Sequence, residues 1–302
     1  MSNQKINKDG MPVFRSRQNK KSKDDTCEGF YIGWMPKAPL DYVIHIKKFI
    51  VGLIILIATS GIVLSFSQKK FRRAVFEFGK LTEVQGVYYT APIPHLRVIS
   101  EKDIFGNVSF ITVPLVGYGK HGAAGVMQEL SMAKGQPFDN RLLRIKGTLL
   151  YNDGKTIMQI DKNDNPIIAI SDQKNVAAFL PAQVDLGEQI IKGEIVDPKC
   201  FFGVMKPGQG KPHKDCAIRC ILGGIPPVLR VQNEKGEENY CLIVGPNGKA
   251  VNEAVKDYVA EPVSLSAKVV RYDDWIVLYV NDNIKRISYA GMLNKKEISC
   301  IR

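Results

Sequence analysis

The chain has 302 residues, 45% of them apolar and 24% charged, with a formal net charge of +12, a composition that supports a packed core and excludes a disordered polymer or a many-spanning membrane protein. Six cysteines are too few for a disulfide-built miniprotein, and 26 glycines with 16 prolines spread along the chain exclude collagen-like or low-complexity architecture. Positive charge is concentrated early: residues 1–48 carry ten Lys and Arg against five Asp and Glu, residues 69–302 carry 32 against 25, and no later segment interleaves basic clusters with aromatics as a nucleic-acid binder would.

Residues 1–28 form a polar, basic tail with no apolar periodicity and are expected to be disordered. Residues 29–48 follow as an aromatic juxtamembrane segment. Its Phe30, Tyr31, Trp34 and Pro36 suit either a belt at the lipid headgroups or a docking surface for another integral membrane protein or redox complex.

Residues 49–67 (FIVGLIILIATSGIVLSFS) are 19 positions without a charge. At about 1.5 Å per residue they cover roughly 28 Å, the thickness of a bilayer's hydrocarbon core. Lys47-Lys48 before the run and Lys69, Lys70, Arg72 and Arg73 after it are placed to snorkel to the two interfaces. A single transmembrane helix is the reading, and the lipid bilayer is therefore a partner. The basic tail favours an N-terminus in the cytoplasm, and a long following domain translocates regardless of its charge. For a bacterium this means an inner-membrane protein with a periplasmic domain.

Beyond Arg73 the periodicity changes to short Val, Ile, Tyr and Leu runs broken every eight to twelve residues by Gly, Pro or Asn-Asp-Gly, the pattern of small antiparallel barrels. Predicted strands cover 86–89, 110–116, 141–151, 156–161, 189–196, 228–232, 240–244, 263–271 and 275–280. Three stretches recur in order. Gly86 corresponds to Gly193, Gly117 to Gly245, and the hairpin 143–161 to 263–281 at an offset of 120. The fold expected is mainly β: one N-terminal transmembrane helix, then two similar small β-barrels, OB-like, at 74–175 and 184–284, with 285–302 as a C-terminal tail.

The second copy carries about 21 extra residues between its two glycine landmarks, and they hold the chemistry. The insertion, 197–227, places Cys200, His213, Cys216 and Cys220 in the pattern C-x12-H-x2-C-x3-C. Three sulfurs and one imidazole are the right number and kind for a tetrahedral Cys3His site, holding zinc for structure or copper. At spacings of three and four, His213, Cys216 and Cys220 are expected on one face of a short helix begun by Pro212 and ended by Gly223-Gly224. Two other readings stand beside metal: a disulfide among Cys200, Cys216 and Cys220, and a redox-active dithiol with Cys216 near a helix N-terminus. Cys241 and Cys300 are read as bystanders, and Cys27 lies in the tail.

The Cys-x3-Cys spacing resembles copper-delivery proteins of the Sco type and the binuclear-copper domain of cytochrome oxidase subunit II. Position 224 is Gly where the latter has His, and the former implies a thioredoxin fold that these β-rich runs do not suggest. As a whole, residues 29–280 resemble uncharacterised single-span bacterial membrane proteins whose outer domain carries Asp-x-x-Cys, Gly-Val-Met-Lys-Pro-Gly-x-Gly-Lys-x-His-x-x-Cys-Ala-x-x-Cys and Gly-Gly-Ile-Pro-Pro, matched here from Asp197 to Pro227. That resemblance implies an extracytoplasmic β-domain and brings no activity with it. Gly203-x4-Gly208-Gln209 lacks the Lys-Ser/Thr of a phosphate-binding loop, and His95 and His121, read as loop residues, have no neighbouring nucleophile motif. The function expected is an accessory subunit of a membrane redox assembly. The alternative is a scaffold whose cysteines staple a loop.

Overall fold

The computed structural model describes residues 40–67, 74–102, 104–105, 108–171, 182–233 and 236–289. It divides into two units, residues 1–71 and residues 72–302. The tail, the docking residues Phe30, Tyr31, Trp34 and Pro36, Cys27 and Cys300 lie outside the described residues.

The first unit contains helix α1, Leu40–Ser67. Its stretch Val43–Ser67 is long and apolar enough to cross a membrane, 25 residues or about 37 Å at 1.5 Å per residue. The helix begins nine residues before the charge-free run, so Lys47 and Lys48 belong to its first turns.

The second unit is two closed five-stranded barrels. In the first, β1 (Val75–Phe76), β2 (Thr82–Tyr89), β3 (His95–Lys102), β4 (Val108–Gly117), β5 (Arg141–Asn152), β6 (Lys155–Ile160) and β7 (Ile167–Ser171) follow in sequence, with helix α2 (Ala123–Ala133) between β4 and β5. The ring runs β2-β3-β4-β6-β5 and closes back on β2, while β1 and β7 add to β5. Only the β4–β6 pairing is parallel. The second barrel comprises β8 (Gln183–Val196), β9 (Val228–Gln232), β10 (Glu238–Val244), β11 (Pro262–Tyr272) and β12 (Trp275–Arg286), closed in the same order, with β10–β12 its parallel pair. A short helix α4 (Asn252–Val255) stands where α2 stands in the first. Five strands in the order 1-2-3-5-4-1 with the helix before strand 4 are the OB-fold arrangement.

Register makes the two barrels superimposable strand by strand. Gly86 pairs with Leu143 and Gly193 with Val263; Leu150 pairs with Ile157 and Val270 with Val277; Val116 pairs with Gln159 and Val244 with Tyr279. The strand-1 glycines are also equivalent in space, since a Cβ on Gly86 would lie 2.6 Å from the Arg97 carbonyl and one on Gly193 would strike that of Arg230. No side chain fits there, because each strand crosses its neighbour too closely.

Each barrel has its own apolar interior, centred on Leu96, Leu115, Leu143 and Met158 in the first and on Ile195, Leu229, Ile243 and Leu278 in the second. A third cluster belongs to both. Ile93, Val116, Leu150 and Ile157 of the first barrel pack with Val196, Phe202, Tyr240, Trp275 and Val277 of the second. Several polar groups buried with them are paired across the seam. Arg97 Nε and Nη2 donate to Asp273 Oδ2 and Oδ1 at 2.7 and 2.8 Å, Trp275 Nε1 donates to the Thr112 carbonyl at 3.0 Å, and the Thr112 N–H donates to Asp274 Oδ1 at 2.7 Å. Arg97 and Asp273 are 4% and 5% exposed, so neither charge has solvent as an alternative partner. Asp273 also turns the β11–β12 hairpin at a positive φ of 49°, a conformation Asn tolerates. Asp273→Asn should therefore keep the turn but leave Arg97 buried without its counter-charge, costing about 3 kcal/mol in urea denaturation of the full chain. A loss below about 1 kcal/mol would mean that the pair behaves as an exposed one.

Candidate metal centre between the barrels

The two barrels differ most in the connection from their first to their second strand. In the first, Tyr89 and His95 are joined by residues 90–94; in the second, Val196 and Val228 are joined by residues 197–227. This long connection folds against the seam. After β8, Asp197 Oδ1 accepts from the Lys199 N–H at 2.9 Å, which bends the chain into a π-helical turn, Cys200–Val204. Gly203 within it has φ of 153° and lies so close to β1 that a Cβ would be 2.9 Å from the Phe76 nitrogen. Phe201 and Phe202 anchor the turn by packing edge-on to Tyr240. The next stretch is held by Glu194, whose Oε1 accepts from the Gly210 N–H at 2.6 Å while Oε2 accepts from Arg230 Nη1 at 2.8 Å.

A 3-10 turn, Lys211–His213, then leads into helix α3, Lys214–Leu222. Cys216 and Cys220 are one turn apart on α3, as their spacing predicts. His213 stands at the helix's N-cap, outside the regular turns that would have aligned it with them. Asn252 Nδ2 donates to the Ile221 and Ile225 carbonyls at 2.6 and 2.8 Å and so satisfies the end of α3.

These turns bring the predicted donors together as two overlapping groups. The sulfurs of Cys200, Cys216 and Cys220 lie within 4.8 Å of one another, and so do donor atoms of Asp197, Cys200 and His213. Asp197 was not among the sequence candidates, although the Asp-x-x-Cys spacing contains it. Cys200 is common to both groups. Asp197, Cys200, His213 and Cys220 are buried, and Cys216 is half-buried. His95 and His121 belong to neither group. His95 is buried at the start of β3 rather than in a loop, with Nδ1 2.8 Å from the Ile93 carbonyl and its ring stacked on Tyr89.

The surroundings hold two of the donors, Cys200 and His213, towards their neutral forms. The hydrogen bond with Cys220, burial and the nearby Asp197 charge all push the Cys200 thiol far up, and burial lowers His213 towards neutral imidazole. Burial likewise lowers Lys199, whose Nζ donates to the carbonyls of Gly117 and Gly119 at 2.8 and 2.6 Å and so ties the insertion to the first barrel. Lys120 reaches across from the same barrel to place Nζ 3.6 Å from the Cys216 sulfur. Asp197 Oδ2 and His213 Nε2 are buried with no hydrogen-bond partner. An orphan of this kind costs about 1–3 kcal/mol, and a cation between the two would relieve both. The donor set of thiols, imidazole and carboxylate fits zinc, and the thiols with imidazole also fit copper.

Cys200, Cys216, Cys220 and Cys241 are free thiols, so no disulfide exists among the described cysteines. Cys241 lies inside the second barrel, its thiol pushed up to about 12 by burial, and takes no part in the centre. No protein-family model matches the chain, and no curated protein matches it either.

Burial predicts the order of thiol reactivity. In a Cys27→Ser/Cys300→Ser background stripped of metal, a bulky aromatic disulfide should label Cys216 rapidly and Cys200, Cys220 and Cys241 only after guanidinium is added. Cys216→Ser should remove the fast phase. Equal fast labelling of all four would contradict the packing.

Proposed function

We propose that this chain is a membrane-anchored accessory subunit of a membrane redox assembly, and that it holds zinc or copper through Cys200, His213, Cys216 and Cys220. The observation that carries the reading is the gathering of three thiols and an imidazole from three separate turns into one buried seam, with Cys216 alone half-open to solvent. A dithiol cycling with a partner needs accessible sulfur, and Cys200 and Cys220 are enclosed, which favours metal over thiol exchange. Thiolate and imidazole are the ligands of zinc and copper sites, and such ions supply structural closure, Lewis acidity or, for copper, one-electron transfer.

The remainder of the reading follows the order of the chain. The basic tail lies in the cytoplasm of a bacterium, helix α1 crosses the inner membrane, and the barrels stand in the periplasm. The aromatic segment with Phe30, Tyr31, Trp34 and Pro36 docks on an integral membrane partner. The resemblance of residues 29–280 to single-span proteins with an outer β-domain agrees with this arrangement.

The full chain, purified in mild detergent without a tag, should retain zinc or copper at one or more per molecule. Cys216→Ser should retain at least one ion fewer, and a redox-active membrane protein should co-purify with the chain but not with a Trp34→Ala/Tyr31→Ala variant. Absence of metal together with oxidised cysteines would overturn the metal reading. Metal without a redox-active partner would overturn the assembly reading and leave the centre structural.

A further inference from the structure

We infer that the insertion binds two metal ions rather than one, sharing the Cys200 sulfur: one held by Cys200, Cys216 and Cys220, the other by Cys200, Asp197 and His213. The inference rests on the metal reading of the same insertion and extends its donor set to Asp197.

The geometry separates the positions. Around a single tetrahedral ion with bonds of about 2.0–2.3 Å, all ligand atoms lie roughly 3.3–3.8 Å from one another. The five donors here do not form one mutually close set; they form two sets of three, each within 4.8 Å internally and joined only at Cys200. His213 therefore does not complete the three-sulfur position as its spacing to Cys216 and Cys220 had suggested. It faces the carboxylate of Asp197, a residue 0% exposed, and His213 itself is 2% exposed.

Of the two sets, the second is the one that contains buried polar atoms without a partner. An ion confined to the three sulfurs would leave Asp197 Oδ2 and His213 Nε2 orphaned, since neither has a protein partner. Asp197 Oδ1 is already occupied by the Lys199 N–H, and Lys199 Nζ is turned away to the Gly117 and Gly119 carbonyls, so the lysine does not neutralise Oδ2 by contact. An ion held by Asp197, His213 and the Cys200 sulfur would give the two orphaned side chains a partner. The chemistry of each set selects its occupant. Three thiolates accept zinc or copper(I), whereas one carboxylate, one imidazole and one thiolate form a mixed set that suits zinc and disfavours copper(I). A thiolate has lone pairs enough to bridge, and Cys200 is placed at the start of the π-helical turn where both sets reach it.

Zinc itself is the probe. The full chain in detergent, reduced, stripped with a chelator and reloaded with zinc, should retain two ions per molecule after dialysis. Asp197→Asn and His213→Gln should each retain one, and Cys216→Ser/Cys220→Ser should lose the other. Cobalt(II) in place of zinc gives a second readout: two cobalt ions sharing a sulfur couple magnetically, so the paramagnetic resonance signal per ion should be weaker in the native chain than in Asp197→Asn. One ion in the native chain, or two ions that survive both Asp197→Asn and His213→Gln, would overturn the shared-sulfur site while leaving the metal reading standing. No ion in any form would overturn both.

Discussion

Everything particular to this molecule depends on the cost of burying polar groups between two barrels. A single OB-like barrel needs only an apolar interior, and each of the two has one. Joining them closes a further surface from water, and that surface contains Arg97, Asp273, Lys199, Asp197 and His213. Each must find a partner or remain a standing penalty. Arg97 finds Asp273, and Lys199 finds two carbonyls of the opposite barrel. Asp197 and His213 each retain a buried atom without one. Of the buried atoms left without a partner, those of Asp197 and His213 belong to the residues grouped with the Cys200 sulfur.

Duplication explains how such a seam arises from one kind of domain. The two barrels keep the same pairings around the ring, down to the strand-1 glycines that let the neighbouring strand approach. What diverged is confined to connections, where length changes cost little. The helix before strand 4 spans Ala123–Ala133 in one copy and Asn252–Val255 in the other, while the connection after strand 1 grew into the π-helical turn, the 3-10 turn and α3. The connection is held at two points, at Lys199 by the Gly117 and Gly119 carbonyls of the other barrel and at Gly210 by Glu194 of its own.

The fold was largely legible because its signals are local. Alternating apolar residues and Asn-Asp-Gly mark the β5–β6 hairpin, and a charge-free run marks the core of α1. Strand β3 escaped because His95, Arg97, Glu101 and Lys102 interrupt its apolar pattern, and Arg97 is inside only because Asp273 waits 176 positions later. Helix α2 escaped although Ala123, Val126, Met127 and Leu130 follow helical spacing, since a Gly N-cap without a side-chain bond and the interior Gly125 hide its start. Cysteine and histidine spacing located the centre, but spacing treats a helix as if it began before His213. The chain instead makes a 3-10 turn there, which carries the imidazole towards Asp197. The partnership of Asp197 and His213 is a tertiary fact, and only the short Asp-x-x-Cys spacing hinted at half of it.

Two physical roles meet in the insertion. It closes the seam mechanically through Lys199 and Lys120, and it presents soft donors with one sulfur near solvent. A cation bound there would join β8, the π-helical turn and α3 into a single unit lying against the first barrel, coupling occupancy of the centre to the joint between the domains. The most direct measurement is X-ray absorption at the edge of whichever metal the full chain retains on purification. A first shell dominated by sulfur at about 2.3 Å with lighter nitrogen or oxygen neighbours is the predicted result. A shell of nitrogen and oxygen alone would place the metal elsewhere and contradict a thiol centre at the seam.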